Sequence, residues 1–445
     1  MASIVIYGIR SSKNNKNSKD YFVANKQMSW IPAMLSIVAT ETSVLTFISI
    51  PGLAYNKGNF FFLQLVLGYV IGRVLVSYIL LPSYFNNEIS SIYEIIGKKF
   101  GRAVHKLTSL VFLITRVFAD GIRFFATASI IHVITGWNFK LSLIIIGFTT
   151  LVYSIYGGIK TIIKIDALQF WIYLSGGIFT IIYIVSQLAN PIQEINSIIF
   201  DSQYINLNSN IFYSTDYFIV DAIIGGALFA FASHGVDYMM VQRVLSTKNL
   251  NSAKKAMIGS GFFVFIQFSL FLIVGFLMKS HVGNSLSNYP NNELFAHYIN
   301  TMPIYLKSFL VIGVLSATMS TLSSSINSLA SSTLIDWFGK KSISLKHSML
   351  ASLFWAIILM IITPVFENES SILVVVGLKI ASFTYGPLLG LFLLTKFKKD
   401  FKSYNIFYAC IMSLLMIFVV FSFGISWTWW VAVGAISLML DSHLF

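Results

Sequence analysis

The sequence predicts an all-α membrane protein that crosses the bilayer many times. Of its 445 residues, 56% are hydrophobic and only 11% are charged, whereas soluble domains average about 25% charged residues. Apolar runs of about 20 residues recur along the whole chain, and this length crosses roughly 30 Å of hydrocarbon. A water-soluble fold of this size could not bury so much apolar surface.

The apolar runs define twelve spans. They lie near 28–55, 59–84, 107–135, 140–157, 166–189, 216–241, 256–279, 304–335, 346–364, 371–395, 404–422 and 425–440. The segment 1–9 is apolar but too short to cross, and it runs into a basic stretch. We expect it to be the tail of a truncated first helix, or else a weak signal segment.

The basic residues predict the orientation. Lysines and arginines concentrate in one set of alternate segments, at 10–26, 98–106, 160–164, 243–255, 340–346 and 396–402, whereas the other set carries only Lys57, Lys140, Lys279 and Lys307. The positive-inside rule makes the first set cytoplasmic, so a multi-pass protein of the plasma (inner) membrane is expected. The net charge of +13 is then a topology signal, because a nucleic-acid site would need a basic face or arm.

Other function classes lack support in the sequence. Cys410, the single cysteine, lies in an apolar run, so neither a disulfide framework nor a thiolate metal site can form. We find no zinc-protease, phosphate-loop or nucleophile-elbow motif. The chain is therefore not expected to be an enzyme.

Ionisable groups inside spans cost roughly 2.5–3.5 kcal/mol each at mid-membrane and mark functional sites. Asp120 lies four residues after Arg116 and three before Arg123, so it can pair with both on one helix face. The full set is Glu41, Arg73, Arg116, Asp120, Arg123, Asp166, Asp221, Asp237 and Lys379.

The first full span has a hydroxyl-rich centre. Residues 39–47 read ATETSVLTF, and Pro51 and Gly52 follow. A span with a glutamate, four hydroxyls and a nearby Pro-Gly pair is expected to break at membrane depth, as helices do at transport sites. The alternative is a simple kink with hydroxyls bonded back to the helix.

A second hydroxyl-rich stretch, 316–328, reads SATMSTLSSSINS. Small residues and hydroxyls can serve close helix packing. They can also bind Na⁺, a hard cation that prefers oxygen, together with carbonyls of the first broken helix. Asp166 opens the predicted span 166–189, where it either caps the helix or, if it faces the second stretch, joins an ion site.

These segments together resemble the sodium/solute symporter family. The resemblance begins at Asp20-Tyr21-Phe22-Val23-Ala24 and includes residues 51–55 (PGLAY) and 157–160 (GGIK) with Asp166. It continues through His234-Gly235-Val236-Asp237 and residues 241–243 (VQR), and ends with the serine-rich stretch.

The resemblance implies a leucine-transporter-type fold. Its core has ten helices in two inverted five-helix repeats, here 28–189 and 216–395, and each repeat starts with a broken helix. The remaining parts are 1–27 with the truncated helix and basic loop, the outer loop 190–215, and two C-terminal transmembrane helices within 396–445.

The resemblance also implies the binding residues. A sodium site would use main-chain carbonyls of Ala39, Thr42 and Ala317 and hydroxyls of Ser320 and Thr321. A second sodium would use Asp166, Ser323 and Ser324. Solute-binding positions correspond to Glu41, Ser43, Thr46, Gln64, Arg116, Arg123 and Ser233, whereas His234 and Asp237 resemble a structural motif near a cytoplasmic helix end.

The expected function is symport of Na⁺ with a small polar organic solute such as a sugar, sialic acid or another organic acid. An arginine in the pocket favours a carboxylate, whereas Glu41 favours hydroxyls or an amine. A proton-coupled or sodium-independent carrier on the same fold is the alternative, ahead of a channel or a nontransporting sensor. The expected partners are Na⁺, the solute and the lipid bilayer, with no nucleic acid and no organic cofactor.

Overall fold

The structure, a computed structural model, describes residues 21–22, 24–86, 91–208, 213–339, 344–367, 369, 371–397 and 401–444. Each predicted span corresponds to one or more helices within these ranges. The predicted tail of a truncated first helix, 1–9, lies outside the described residues.

The helices that build the membrane core run along the chain as follows. They are Trp30–Glu41, Val44–Lys57, Phe62–Asn86, Arg102–Thr135, Phe139–Gln187, Ile219–Gly235, Tyr238–Leu245, Leu250–Val282, Ile304–Trp337, Leu345–Phe366, Leu373–Leu394, Ser403–Ser422 and Trp430–Leu444. Shorter helices at Tyr93–Phe100, Pro191–Phe200 and Leu294–Asn300 lie in the connections.

In the described part of the chain, eight helices and two bent pairs are long and apolar enough to cross a membrane. The predicted span 140–157 corresponds to the first part of Phe139–Gln187, before a break at Gly158, and the predicted span 425–440 corresponds to Trp430–Leu444, with 15 residues. The second of these falls below the roughly 17–25 residues that a perpendicular span requires.

The connection predicted between spans 140–157 and 166–189 is present but shorter than predicted. The two helices within Phe139–Gln187 meet at a sharp break at Gly158, whose φ of 62° and ψ of 179° glycine adopts without a Cβ clash, and the second helix begins there. Asp166 lies about two turns beyond this break and therefore does not cap the start of a helix.

Both predicted broken helices are present. The first bent pair, Trp30–Glu41 with Val44–Lys57, turns by 58°, and the second, Ile219–Gly235 with Tyr238–Leu245, turns by 62°. In the first pair the break falls at Thr42 and Ser43, because the Ser43 hydroxyl accepts a hydrogen bond from the Leu45 amide at 3.3 Å and restarts the helix. Pro51 lies inside the second half and is not the break.

The two repeats meet most closely where helix Phe62–Leu75 packs on helix Ile219–Gly235. A Cβ at Gly226 would lie 2.2 Å from the Leu65 carbonyl oxygen, and one at Gly68 would lie 2.4 Å from the Ile223 carbonyl oxygen. Glycine is thus required on both sides, because small residues let transmembrane backbones approach each other.

We expect Gly226→Ala to destabilise the protein by about 1–3 kcal/mol, the cost of overpacking a tight interface. Reversible unfolding in mixed micelles measures this loss. Gly313→Ala is the matched control, since a Cβ there would meet only the Phe47 ring at 4.0 Å. Equal stability of the two variants would contradict the close approach of helices Phe62–Leu75 and Ile219–Gly235 at Gly226.

Candidate ion and solute site

A cavity lies where the breaks of the two bent pairs face helices Arg102–Thr135 and Leu373–Leu394. Six of the seven residues predicted to bind solute line it: Glu41, Ser43, Thr46, Arg116, Arg123 and Ser233. The other lining residues are Leu45, Tyr69, Phe229, His234, Met240, Phe268, Val374, Gly377, Leu378, Ala381 and Tyr385. The wall is thus largely apolar, with a few convergent polar groups, as is typical of a solute site.

Gln64, the seventh predicted solute residue, does not line this cavity. Its amide nitrogen donates to the carbonyls of Phe61 at 3.2 Å and Tyr217 at 3.1 Å, and its oxygen accepts from the Asn206 amide at 3.2 Å. These bonds tie the segments on either side of 209–212 to the start of helix Phe62–Leu75. The geometry therefore indicates a structural role.

His234 was missed as a cavity residue, because the sequence analysis places it near a cytoplasmic helix end. It lies instead two residues before the break of the second bent pair, which begins at Val236. Its Nδ1 is 2.9 Å from the Ser233 hydroxyl, and its Nε2 is 3.3 Å from a Glu41 carboxylate oxygen. The adjacent Ser233, which was predicted, is the only sequence signal that could have indicated it.

Glu41 is neutralised inside the cavity wall. Its carboxylate forms an ion pair and hydrogen bond with Arg73, which is fully buried, and Arg73 Nη2 is also 3.1 Å from His234 Nε2. Glu41 therefore has a counter-ion of its own, as a buried carboxylate requires. Its charge is not free to select a cationic solute.

The expected pairing of Asp120 with both arginines of helix Arg102–Thr135 is present. The Asp120 carboxylate is 2.7 Å from Arg123 and 3.7 Å from Arg116. Arg116 has a second carboxylate, Asp237, at 3.3 Å, and its Nη2 donates to the Tyr385 hydroxyl at 3.1 Å. Arg116 is thus held between two acids and a phenol.

Arg123 is less fully engaged. Its hydrogen bonds leave only from Nη1, to Asp120 at 2.7 Å and to the Ala119 carbonyl at 2.9 Å. Its buried Nε–H has no partner among the residues that the structure describes. Arg73 and Arg116 also have buried nitrogens without hydrogen-bond partners in these residues, but Arg123 is the most accessible of the three side chains at the cavity wall.

The first bent pair meets the serine-rich helix, Ile304–Ser332, at the predicted sodium residues. The Thr321 hydroxyl donates to the Thr40 carbonyl at 3.0 Å and lies 3.2 Å from the Ala317 carbonyl. The Ser320 hydroxyl is fully buried and lies close enough to the Asp166 carboxylate to interact with it, but it forms no hydrogen bond of normal geometry within the described ranges.

The break also frees main-chain carbonyls. The Thr42 amide bonds to the Val38 carbonyl and the Ser43 amide to the Glu41 carbonyl, so the Ala39 carbonyl loses its helical donor. Within the described ranges no amide or side chain donates to the carbonyl of Ala39 or Thr42. Buried oxygens without hydrogen-bond partners are costly and suit a hard cation such as Na⁺.

Asp166 faces the serine-rich helix and is fully buried. One of its oxygens accepts from Ser36 at 2.6 Å and lies 3.5 Å from the Ser324 hydroxyl, whereas its other oxygen has no partner within the described part of the chain. Ser323, predicted beside it, donates instead to the Ser320 carbonyl of its own helix at 3.2 Å. The structure thus brings Ser324 to Asp166 but turns the Ser323 hydroxyl away.

Arg243, counted with the loop cations in the sequence analysis, is fully buried in the second bent pair. Its Nη2 is 3.4 Å from Asp166, its Nε donates to Ser36 at 2.8 Å, and it also hydrogen-bonds Thr40 and Ser324. Arg243 is buried and not in a loop because a carboxylate in a dry interior needs a cation, and Arg243 supplies it to Asp166.

A second cavity lies beyond Ile48 and Phe125, on the predicted outer side. Its polar lining is acidic and includes Glu293, Glu367 and Glu369. Hydrogen bonds from the Ser371 side chain and amide hold the pKa of Glu369 below its usual range, so this mouth carries negative charge that attracts cations.

Two bent helix pairs, with a cavity and freed carbonyls at their breaks, have the arrangement of discontinuous helices that secondary transporters use at their transport sites. The family model described as "SSF: Sodium:solute symporter family" matches residues 21–413. The chain belongs to the sodium:solute symporter family.

Curated relatives share about a quarter of their residues with this chain. The sodium-coupled monocarboxylate transporter 2 of Mus musculus is 27% identical over 88% of this chain and 65% of its own length. The sodium-dependent multivitamin transporter of Oryctolagus cuniculus is 25% identical over 95% of this chain and 66% of its own length. The chain thus spans about two thirds of the length of these relatives.

Solved structures share the fold. A Na⁺-coupled sialic acid symporter in a substrate-bound outward-open state superposes with a TM-score of 0.88 at 22% identity, covering 100% of this chain and 96% of that one. Mhp1, a nucleobase-cation-symport-1 family transporter in a closed conformation, superposes with a TM-score of 0.61 at 14% identity over 96% and 94% of the two chains. The predicted leucine-transporter-type architecture is confirmed.

We expect Arg73→Gln to destabilise the protein by about 3–5 kcal/mol, because it leaves Glu41 as a buried charge without its arginine. Adding Glu41→Gln should recover much of the loss, since the double variant buries no unpaired charge. Reversible unfolding in mixed micelles compares the variants, with Lys57→Gln as an exposed control. A double variant no more stable than Arg73→Gln would show that the ion pair between Glu41 and Arg73 does not determine the stability of this cavity wall.

Proposed function

We propose that the protein couples inward movement of Na⁺ to uptake of a small organic anion that carries a carboxylate. The observation that carries this proposal is the unequal pairing of charges at the cavity. Glu41 has Arg73 beside it and Arg116 lies between two carboxylates, whereas Arg123 contacts only Asp120 among the described carboxylates and is the least buried of the three arginines. A guanidinium with a free edge binds a carboxylate in a bidentate manner.

The charge balance gives a reason for coupling to Na⁺. Around the cavity, Arg73, Arg116 and Arg123 face three carboxylates, Glu41, Asp120 and Asp237. A solute anion that entered alone would add an unbalanced charge in a medium of low dielectric, where this is expensive. One Na⁺ at the nearby carbonyls and hydroxyls would balance it.

The Na⁺ would bind where the first bent pair meets the serine-rich helix. Its proposed ligands are the carbonyls of Ala39, Thr42 and Ala317 and the hydroxyls of Ser320 and Thr321. Binding there would hold the break beside Ser43 and Glu41, which line the cavity. Sodium and solute would therefore raise each other's affinity, since such coupling is reciprocal.

The driving force is adequate for concentrative uptake. One Na⁺ moving through about 100 mV supplies roughly 2.3 kcal/mol, and a tenfold concentration gradient adds about 1.4 kcal/mol. One Na⁺ and one singly charged anion would cross together as an uncharged pair. Their movement would therefore use only the Na⁺ concentration gradient and not the membrane potential. For an anion with one charge, one Na⁺ thus supports about a tenfold gradient, and a second ion restores the electrical term.

Asp166, Ser323 and Ser324 are the proposed second sodium site. Asp166 lies close to Arg243, and Ser323 is bonded to its own helix. Na⁺ would have to displace this arginine from Asp166, so the geometry favours the first site as the main coupling site.

The topology of the symporter follows from its basic segments. The segments rich in lysine would face the cytoplasm and the acidic mouth at Glu293, Glu367 and Glu369 would face outward, in the plasma (inner) membrane. The proposed repeats are 28–189 and 216–395, flanked by 1–27, the outer loop 190–215 and the C-terminal part 396–445.

We expect proteoliposomes with an inward Na⁺ gradient to accumulate at least one of a panel of labelled carboxylates, including lactate, pyruvate and sialic acid. Sugars and neutral amino acids should not accumulate. In Ser320→Ala the half-saturating Na⁺ concentration should rise about tenfold or more, because a bond to a charged group is worth about 1.5–3 kcal/mol.

Ser328→Ala is the matched control, since that buried hydroxyl donates only to the Ser325 carbonyl of its own helix, at 3.0 Å. Uptake indifferent to Na⁺ and to Ser320→Ala would overturn the sodium proposal. Uptake that peaks at acid pH without Na⁺ would select a proton-coupled carrier instead.

We expect Arg123→Gln to raise the KM for the transported carboxylate about tenfold to a hundredfold, because it removes a charge-assisted hydrogen bond. Arg123→Lys should recover part of the affinity. Inhibition by the corresponding amide, which has no carboxylate, should be the same in wild type and both variants.

Thr127→Val controls for general damage to this helix, because the Thr127 hydroxyl lies one turn further on and bonds to Thr318 at 2.8 Å outside the cavity. An unchanged KM in Arg123→Gln would show that Arg123 does not bind the carboxylate of the solute.

A further inference from the structure

The half-helix Tyr238–Leu245, the second part of the second bent pair, is buried along its whole length. Its eight residues span about 12 Å at 1.5 Å per residue. A charged side chain is anchored at each end, Asp237 before its first turn and Arg243 in its last turn. These two residues contact two different sites.

Asp237 connects the half-helix to the solute cavity. One carboxylate oxygen accepts from the Met239 amide at 2.8 Å and caps the half-helix. The other oxygen accepts from the Tyr385 hydroxyl and lies 3.3 Å from Arg116 Nε. Because Tyr385 and Arg116 both line the cavity, their displacement by a solute would act directly on the N-terminus of the half-helix.

Arg243 connects the other end to the ion region. Its guanidinium bonds to Ser36 and Thr40 on the first bent pair, to Ser324 on the serine-rich helix, and lies 3.4 Å from Asp166. The carbonyl of the same Thr40 accepts from Thr321, a proposed sodium ligand. A sodium ion that moves the first bent pair against the serine-rich helix would therefore move Arg243.

The half-helix is well suited to transmit this movement. A single hydrogen-bonded helical unit is stiff over two turns, and the break at Val236 and Asp237 frees it from helix Ile219–Gly235. The capping bond at Asp237 fixes that carboxylate to the backbone of the unit. A shift at either end is therefore carried as a rigid displacement instead of being lost in loop motion.

We propose that Asp237 and Arg243 are positioning residues that couple ion binding to solute binding through the half-helix Tyr238–Leu245. This inference rests on the proposed Na⁺–carboxylate symport. Neither residue need touch the ion or the solute, since each acts through residues that do. Removing either link should weaken the mutual enhancement of sodium and solute affinity more than it weakens binding itself.

The test measures the dissociation constants of L-lactate, pyruvate and sialic acid by tryptophan fluorescence, without Na⁺ and with saturating Na⁺, in the whole chain in detergent. The ratio of the two constants for a solute is the coupling factor. Asp237→Asn keeps the helix cap, because asparagine also caps helices, but removes the charge beside Arg116. Arg243→Lys keeps the positive charge but loses the planar fork that reaches several partners at once.

We expect each variant to lower the coupling factor about fivefold or more, since couplings in proteins span about 5- to 150-fold. The double variant should lose no more than the larger single loss, because both changes interrupt the same link. Tyr238→Phe is the control: it removes a hydrogen bond of 2.9 Å between the same half-helix and Ser331 of the serine-rich helix, so the coupling factor should change less than about twofold.

Three outcomes would overturn the inference. A wild-type protein whose affinities for L-lactate, pyruvate and sialic acid all fail to respond to Na⁺ would reject the proposed Na⁺–carboxylate symport along with the link. A wild-type response that persists unchanged in Asp237→Asn and Arg243→Lys would reject the link alone. Losses that multiply in the double variant would mean that the two residues act independently.

Discussion

The rest of this structure depends on one constraint, namely that a backbone broken at membrane depth must find partners for its polar groups without water. At the first break, Ser43 and the Val38 and Glu41 carbonyls satisfy local amides. The Thr40 carbonyl takes a hydroxyl from the serine-rich helix. The carbonyls of Ala39 and Thr42 are left as acceptors without donors in the described part of the chain, and this makes the break a place for a cation.

The same absence of water governs the charges. Each buried carboxylate near the breaks has an arginine within reach: Glu41 has Arg73, Asp166 has Arg243, and Asp237 has Arg116. Such pairs recover the high cost of burying two ions only when their geometry is good. Selectivity then depends on which charge at the cavity is least fully paired, and this is Arg123, which contacts only Asp120 among the described carboxylates and is the least buried of the three arginines.

These ion pairs are also long-range ties. Arg73 joins helix Phe62–Leu75 to the first bent pair, and Arg243 joins the two bent pairs to each other. Each ion pair stabilises the protein most when its two side chains keep their relative positions. The ion pairs therefore resist movement of one bent helix pair unless the helices that carry the partner side chains move with it. Alternating exposure of a central site needs this kind of concerted movement between a few stiff units.

The sequence by itself determined the class of the protein, most of its spans, the break near Thr42 and the two arginines that Asp120 can pair with. These follow from local rules, since apolar length, hydroxyl density and helical spacing act over a few residues. Only the tertiary structure decided that Gln64 lies outside the cavity, that His234 lies on its wall and that Arg243, counted as a loop cation, is buried against Asp166. These positions depend on which helices pack together, and a side chain whose partner lies far away along the sequence, as Asp166 lies 77 residues from Arg243, has no local pattern that reveals the contact.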